Sequence, residues 1–245
     1  MTYILAVLAG LLVGTLINYL SDVLPANRKL VRPTCPNCGH AYSFGDYLLL
    51  RRCKVCGQGR FSRGLIVLLG SILVTVLLVE FPMPHLNFWA TLPLLVFMGV
   101  IAVIDIEHHI VLFEISMAGL LLCFVYGLIL WSIKGTLLGG LAGFAIMGLL
   151  YLLGLEFTRV AGSIRHKPVS EVAFGFGDVF AGTFLGFLNG WPLMLKGLIV
   201  ALIAFVVFSL GYYVILLITG KYRAFSHALP FTPFLILGAA AAFYL

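Results

Sequence analysis

The chain has 245 residues, 62% of them hydrophobic and only 10% charged, with a formal net charge of +6. A mean hydropathy of +1.14 and so few charges, against about 25% in soluble domains, exclude a soluble globular protein and a disordered one. The apolar runs are continuous rather than alternating, which argues against an outer-membrane barrel and leaves an all-α polytopic membrane protein.

A bilayer core about 30 Å thick takes about 20 apolar residues per helix. The sequence predicts about eight transmembrane helices, over 3–21, 65–81, 88–104, 110–132, 136–158, 172–190, 194–219 and 226–245. The first lacks a basic leader region and a small-residue cleavage site, so it reads as a retained span. Gly139, Gly140, Gly143 and Gly148 in the fifth span are expected to serve close helix packing.

Residues 22–64 form the one long polar segment. It holds eight of the 15 basic residues: Arg28, Lys29, Arg32, Arg51, Arg52, Lys54, Arg60 and Arg63. The positive-inside rule places this loop in the cytoplasm. Eight alternating spans then put 13 basic residues inside and two, Lys134 and Lys196, outside, with both termini outside. The organisation expected is a first transmembrane helix (1–21), a small cytoplasmic zinc-binding domain (22–64) and a seven-helix membrane domain (65–245). The positive charge reads as topology and contact with anionic lipid, with no nucleic-acid partner.

Four of the five cysteines fall in this loop, as Cys35-Pro36-Asn37-Cys38-Gly39 and Cys53-Lys54-Val55-Cys56-Gly57. Two intervening residues let both thiolates of a pair reach one tetrahedral zinc at about 2.3 Å. The glycine after each pair allows the tight turn that such a knuckle needs. Four thiolates would close the shell, so a structural zinc is expected at Cys35, Cys38, Cys53 and Cys56. So short a loop can hardly build a core of its own, and a metal staple makes physical sense. His40 reads as a surface residue, and Cys123 as an apolar filler inside a span.

Five acidic residues lie in or beside apolar runs: Asp105, Glu107, Glu114, Glu156 and Asp178. Ionisable groups in such places point to function. Asp105 ends the third span, before Ile106-Glu107-His108-His109. Asp178 follows Phe174-Gly175-Phe176-Gly177. The topology puts both at the cytoplasmic edge, 73 residues apart in sequence. Two carboxylates in a half-dry site can divide the work of a hydrolase, the charged one activating water and the protonated one donating to a scissile carbonyl. Gly175 and Gly177 would let a substrate backbone approach. Other readings stand beside this one. Asp178 could be a helix cap, Asp105 could pair with His109, and Asp105, Glu107, His108 and His109 could hold a metal. Glu114 and Glu156 read as helix-end or packing carboxylates.

The sequence resembles the prepilin peptidases, the type IV leader peptidases of bacteria. The resemblance is carried by Gly10-Leu11-Leu12-Val13-Gly14-Thr15-Leu16-Ile17-Asn18, the two cysteine knuckles, Ile104-Asp105-Ile106-Glu107-His108-His109, Glu171-Val172-Ala173-Phe174-Gly175-Phe176-Gly177-Asp178 and Leu229-Pro230-Phe231-Thr232-Pro233-Phe234. The motifs span nearly the whole chain in the family's order. The resemblance implies an intramembrane aspartic protease of the Gly-x-Gly-Asp type in the bacterial inner membrane, with Asp105 and Asp178 as its catalytic pair. Gly175, Gly177, Glu107 and His109 would support substrate or motif. It further implies a cytoplasmic zinc domain after the first span. The expected partners are prepilin and pseudopilin precursors, cut just after a glycine. Many members then methylate the new N-terminus with S-adenosylmethionine.

Three positions depart from the family's usual pattern near its motifs: Leu112-Phe113, Phe180 and Thr232. A fourth, apolar Val67-Leu68-Leu69, stands where a glutamate is common and leaves the methyltransferase activity open. A carboxylate-based ion-coupled transporter and a non-catalytic zinc-binding assembly factor of a pilus or secretion system are the alternatives.

Overall fold

A computed structural model describes residues 2–35, 37–110, 112–165, 175–220 and 229–245, with backbone alone for 161–165. Lys167, Lys221, Arg223 and Glu171-Val172-Ala173-Phe174 of the sequence reading lie outside the described residues. Among the described residues the architecture is helical, with a single isolated bridge between Thr34 and Ala41 and no strand. Six helices are long and apolar enough to cross a membrane. The chain divides into two compact units, Met1–Ile104 and Asp105–Leu245.

The first unit is built on an antiparallel pair, α1 (Thr2–Asn27) and α3 (Phe61–Glu80). On α1 the buried residues are Ala6, Ala9, Gly10, Val13, Gly14, Ile17, Asn18, Ser21 and Val23. That is helical spacing of small groups along one face. Leu5, Leu8, Leu12 and Leu16 on the other face are exposed, as a lipid-facing side should be. The small residues permit backbone contact: a Cβ on Gly10 would lie 2.6 Å from the Ile72 Cα. Ser71 and Thr75 of α3 turn their hydroxyls back onto their own helix, at Val67 O and Ser71 O, and so need no partner across the interface. Asn18 spans it, donating to Gly64 O at 3.1 Å.

Helix α1 runs six residues past the expected end at 21. The reason is local. The Ser21 hydroxyl bonds back to Ile17 O at 2.7 Å, and Asp22 accepts from Tyr47, Arg60 and Arg63. The end of α1 is thus the wall on which the polar loop rests. That loop carries the one-turn helix α2 (Phe44–Leu48), opened by Ser43 as its cap. Cys35, Tyr42, Tyr47 and Cys53 form its small core, with Tyr19 of α1 packed against it. The Arg60 guanidinium lies 3.8 Å from the Tyr47 ring centroid and adds a cation–π contact. Helix α4 (Phe88–His108) completes the unit through its apolar length and hands Asp105 to the second.

The second unit gathers α5 (Phe113–Leu130), α6 (Ile133–Arg165), α8 (Leu193–Ile218) and α9 (Thr232–Ala242) around α7 (Phe176–Asn189). Nine of the 14 residues of α7 are buried. Glycines set how closely it is held. A Cβ on Gly143 of α6 would lie 2.1 Å from Gly182 O, and one on Gly139 would lie 2.3 Å from Gly186 O. Gly148 of the same helix meets nothing within 4 Å, so the packing role expected for all four glycines fails there. On the far side, Gly238 of α9 presses on Gly197 O of α8, where a Cβ would stand 2.2 Å away. Asn189 at the end of α7 donates to Ala239 O at 3.0 Å.

Candidate functional site

The four loop cysteines come together as expected. Their Sγ atoms all lie within 4.8 Å of one another. Cys35 is 3.5 Å from Cys56 and Cys38 is 3.5 Å from Cys53. These are thiol contacts and not disulfides. A zinc with four sulfurs at about 2.3 Å has them about 3.8 Å apart, so the cluster fits that ion closely. The two knuckles repeat each other. Gly39 N donates to Cys35 O and Gly57 N to Cys53 O, at 2.8 and 2.9 Å. Cys35 N and Cys53 N donate to His40 O and Gln58 O. Gly39 and Gly57 both have φ of +70°, the left-handed region that glycine enters without strain.

The backbone also prepares the donors. Burial works against a Cys35 thiolate, yet the N–H groups of Asn37 and Cys38 pull its pKa down to about 6. The N–H groups of Cys56 and Val55 lower Cys53 likewise. His40 is exposed, as anticipated. Among the described residues no second group of three or more candidate metal ligands exists. The alternative metal site at Asp105, Glu107, His108 and His109 is therefore not assembled.

The carboxylates come together in the second unit. Asp105 lies in the last turn of α4, whose end is closed by His109 N donating to Asp105 O at 2.9 Å. His109 has φ of +53°, which ends the helix there. Asp178 is the third residue of α7. Its Oδ2 accepts from Gly175 N at 2.9 Å; Gly175 is the N-cap, so Asp178 is not the cap itself but bonds back to it from the third helical position. Its Oδ1 remains for another partner. Both side chains are buried.

That partner is Thr232, the first residue of α9. Its backbone N–H donates to Asp105 Oδ2 at 3.2 Å, and its hydroxyl donates to Asp178 Oδ1 at 3.2 Å. One fully buried residue thus bridges two carboxylates that the sequence alone could only suggest were neighbours. From the sequence, Thr232 is only a departure expected to alter substrate fit. Its one signal was its place in the Pro230-Phe231-Thr232-Pro233 motif.

The other expected residues sit around this bridge. Gly175 has an ordinary φ of −80°, so backbone conformation does not demand glycine. A Cβ there would meet Asp178 Oδ2 at 3.8 Å and Gly177 N at 3.9 Å, and nothing nearer. Among the described residues, the missing side chain leaves nothing between Gly175 and that side of the carboxylate. Glu107 and His109 are exposed at the end of α4, outside the buried bridge. Glu156 pairs with Arg159 on the exposed face of α6 at 2.6 Å, and Glu114 occupies the first turn of α5, where a helix dipole favours it. Cys123 is fully buried in α5 as an apolar filler.

The departures at Phe113 and Phe180 are neighbours. Their rings meet edge to face with centroids 6.2 Å apart, and Phe176 packs on Phe180 at 5.3 Å. Two of the four departures thus touch each other on α5 and α7, and a third, Thr232, bonds Asp178 itself.

Comparison with known proteins adds one finding. A sequence profile described as the type IV leader peptidase family matches residues 92–214, half of the chain. The matched stretch contains both Asp105 and Asp178 and lies between the cysteine knuckles and Thr232. No curated protein and no solved structure matches. A multi-pass helical chain, a quartet of cysteines between its first two long helices and a match over half its length lead to one conclusion: the chain belongs to the type IV leader peptidase family.

Proposed function

We propose that this family member is an intramembrane aspartic endopeptidase with Asp105 and Asp178 as its catalytic pair. Family membership makes it a peptidase of prepilin-type precursors in general. The observation that carries the finer reading is the shared donor: carboxylates 73 residues apart in sequence are both hydrogen-bonded to Thr232.

In this reading one carboxylate is charged and the other protonated. The charged one takes a proton from water as the water oxygen bonds to the scissile carbonyl carbon. The protonated one donates to the carbonyl oxygen. The C–N bond then breaks, and a proton passes to the departing amine nitrogen. Gly175 and Gly177, which carry no side chains next to Asp178, would give the peptide backbone its approach. The substrates proposed are type IV prepilins and related pseudopilins, cut after the glycine that ends a basic leader. The leader would stay outside the bilayer while the apolar segment docks among the helices.

Cys35, Cys38, Cys53 and Cys56 would hold a zinc ion. A closed four-thiolate shell supplies folding energy to the 22–64 segment. The 13:2 division of basic residues supports a bacterial inner-membrane protein with this segment in the cytoplasm. The proposed division of labour is the first helix 1–21 as anchor, 22–64 as zinc domain and 65–245 as peptidase domain.

The test is cleavage of a prepilin-like peptide by the purified, zinc-loaded protein in detergent, with products read by mass spectrometry. Cleavage after the glycine is expected, with complete loss in Asp105→Asn and in Asp178→Asn while both variants keep their zinc. Retained cleavage in either variant refutes the assignment. Added S-adenosylmethionine decides the second activity: a product heavier by one methyl group shows that the new N-terminus is also methylated.

A further inference from the structure

Thr232 has two functions to fill, and they make different demands. Any residue except proline could supply the N–H that reaches Asp105. Only a side-chain donor can reach Asp178 Oδ1 from the same position. A serine or threonine fits the distance, and glycine, alanine or valine would leave that oxygen without its partner.

We propose that Thr232 is a positioning residue for the carboxylate pair, fixing the place of Asp178 relative to Asp105 through its hydroxyl. The inference rests on the reading of the two aspartates as the catalytic pair.

The chemistry of the donor explains why a hydroxyl suits this place. A backbone N–H can only donate. A hydroxyl donates to a carboxylate and accepts from a carboxylic acid. Asp178 Oδ2 is already held by the N–H of Gly175 at 2.9 Å. When Asp178 acts as the base, the oxygen free of the Gly175 N–H is Oδ1, and a proton placed there meets Thr232 at 3.2 Å. There the hydroxyl can reverse its direction without any heavy atom moving. Asp178 keeps two partners before and after it takes a proton.

Thr232 can do this because α9 is held at both ends. The Phe231 ring packs on Phe205 of α8 with centroids 5.1 Å apart, and Phe234 packs on the same ring at 5.4 Å. Gly238 abuts Gly197 of α8. Asn189 of α7 donates to Ala239 O at 3.0 Å. The Phe231 and Phe234 contacts thus fix the start of α9 on α8, while Asn189 ties the far end of α9 to the far end of α7, the helix that carries Asp178. A donor mounted there keeps its aim, as a preorganised site requires.

The experiment compares Thr232→Val, which keeps the shape and removes the hydroxyl, with Thr232→Ser, which keeps the hydroxyl. Both are assayed as full-length, zinc-loaded protein on the same prepilin-like peptide, with kcat and KM separated. Loss of one hydrogen bond to a charged group predicts a fall of about 10- to 100-fold in kcat for the valine variant, with KM within about twofold. Thr232→Ser is expected to recover kcat to within about threefold of the parent. If valine prevents folding, Thr232→Ala carries the same expectation without added bulk. The proposal is overturned by a parental kcat in the valine or alanine variant, by a serine variant as impaired as valine, or by a loss confined to KM. Asp105→Asn and Asp178→Asn run alongside separate the two failures. If those variants still cleave, the catalytic reading itself fails. If they are inactive and Thr232→Val is unimpaired, the role of Thr232 alone is wrong.

Discussion

Substituting Gly143 by alanine tests how the packing of α6 controls the site on α7. The Cβ it adds would lie 2.1 Å from Gly182 O, and real Cβ atoms essentially never approach within 3.0 Å. The two backbones must therefore part by about 0.9 Å. Neither contact atom can rotate away, because both belong to helical backbone. Gly182 lies one turn beyond Asp178 on α7, so the carboxylate moves with it. A displacement of that size along the bond would stretch the 3.2 Å contact between Thr232 Oγ1 and Asp178 Oδ1 to about 4 Å, beyond hydrogen bonding. Misplacement of a reacting group by about 1 Å can cost about 100-fold in rate. The expected result for Gly143→Ala is a fall of that order in peptide cleavage, with normal zinc content. Gly148→Ala is the matched control, on the same helix but with nothing within 4 Å of the added Cβ. It should cleave at the parental rate. Equal activity in the two variants would refute the claim that α6–α7 contact sets the position of Asp178.

Three further predictions concern the loop and the helix end that supports it. Cys53→Ser should abolish stoichiometric zinc and leave residues 22–64 open to proteolysis, and parental protease resistance would show that the loop folds without metal. In the parent, Cys35 is already a thiolate above about pH 6, and below that the metal must displace its proton. Zinc affinity measured by chelator competition should therefore fall about one decade per pH unit more steeply below pH 6 than above it. Asp22→Ala removes the partner of Arg60 and Arg63, whose side chains are 11% and 25% exposed. A loss of about 1–3 kcal/mol is expected from partly buried, charge-assisted contacts, read as a lower thermal midpoint in detergent. An unchanged midpoint would make that network incidental.

What could be read from the sequence follows from how local the cause is. The cysteine site was legible because two residues between ligands and a glycine after them encode the knuckle almost alone. Asp105 and Asp178 were legible because an ionisable group in an apolar run is expensive and rarely idle. Thr232 was not, since a lone hydroxyl in a membrane helix usually bonds back to its own backbone, as Ser21, Ser71 and Thr75 do here. Only the chain fold, which joins residues 127 and 54 positions apart, separates it from those. Asp22 escaped notice because an acid at a helix end is ordinarily solvated. The glycines show the same limit. Gly139, Gly143 and Gly148 look alike in sequence, yet the first two touch another backbone and the third touches nothing.

Helix α9 has 11 residues, hence a length of about 16 Å. That is roughly half of the hydrocarbon thickness. A segment so short draws the lipid surface inward or leaves a depression above it. A depression over the end of α9 that carries Thr232 would also lie over the two carboxylates bonded to that residue. Hydrolysis inside a membrane is limited by its scarcest reactant, water. On the proposed intramembrane mechanism, a helix too short for its surroundings is a simple way to deliver it, and a thicker bilayer should slow cleavage for want of hydration and not for want of substrate.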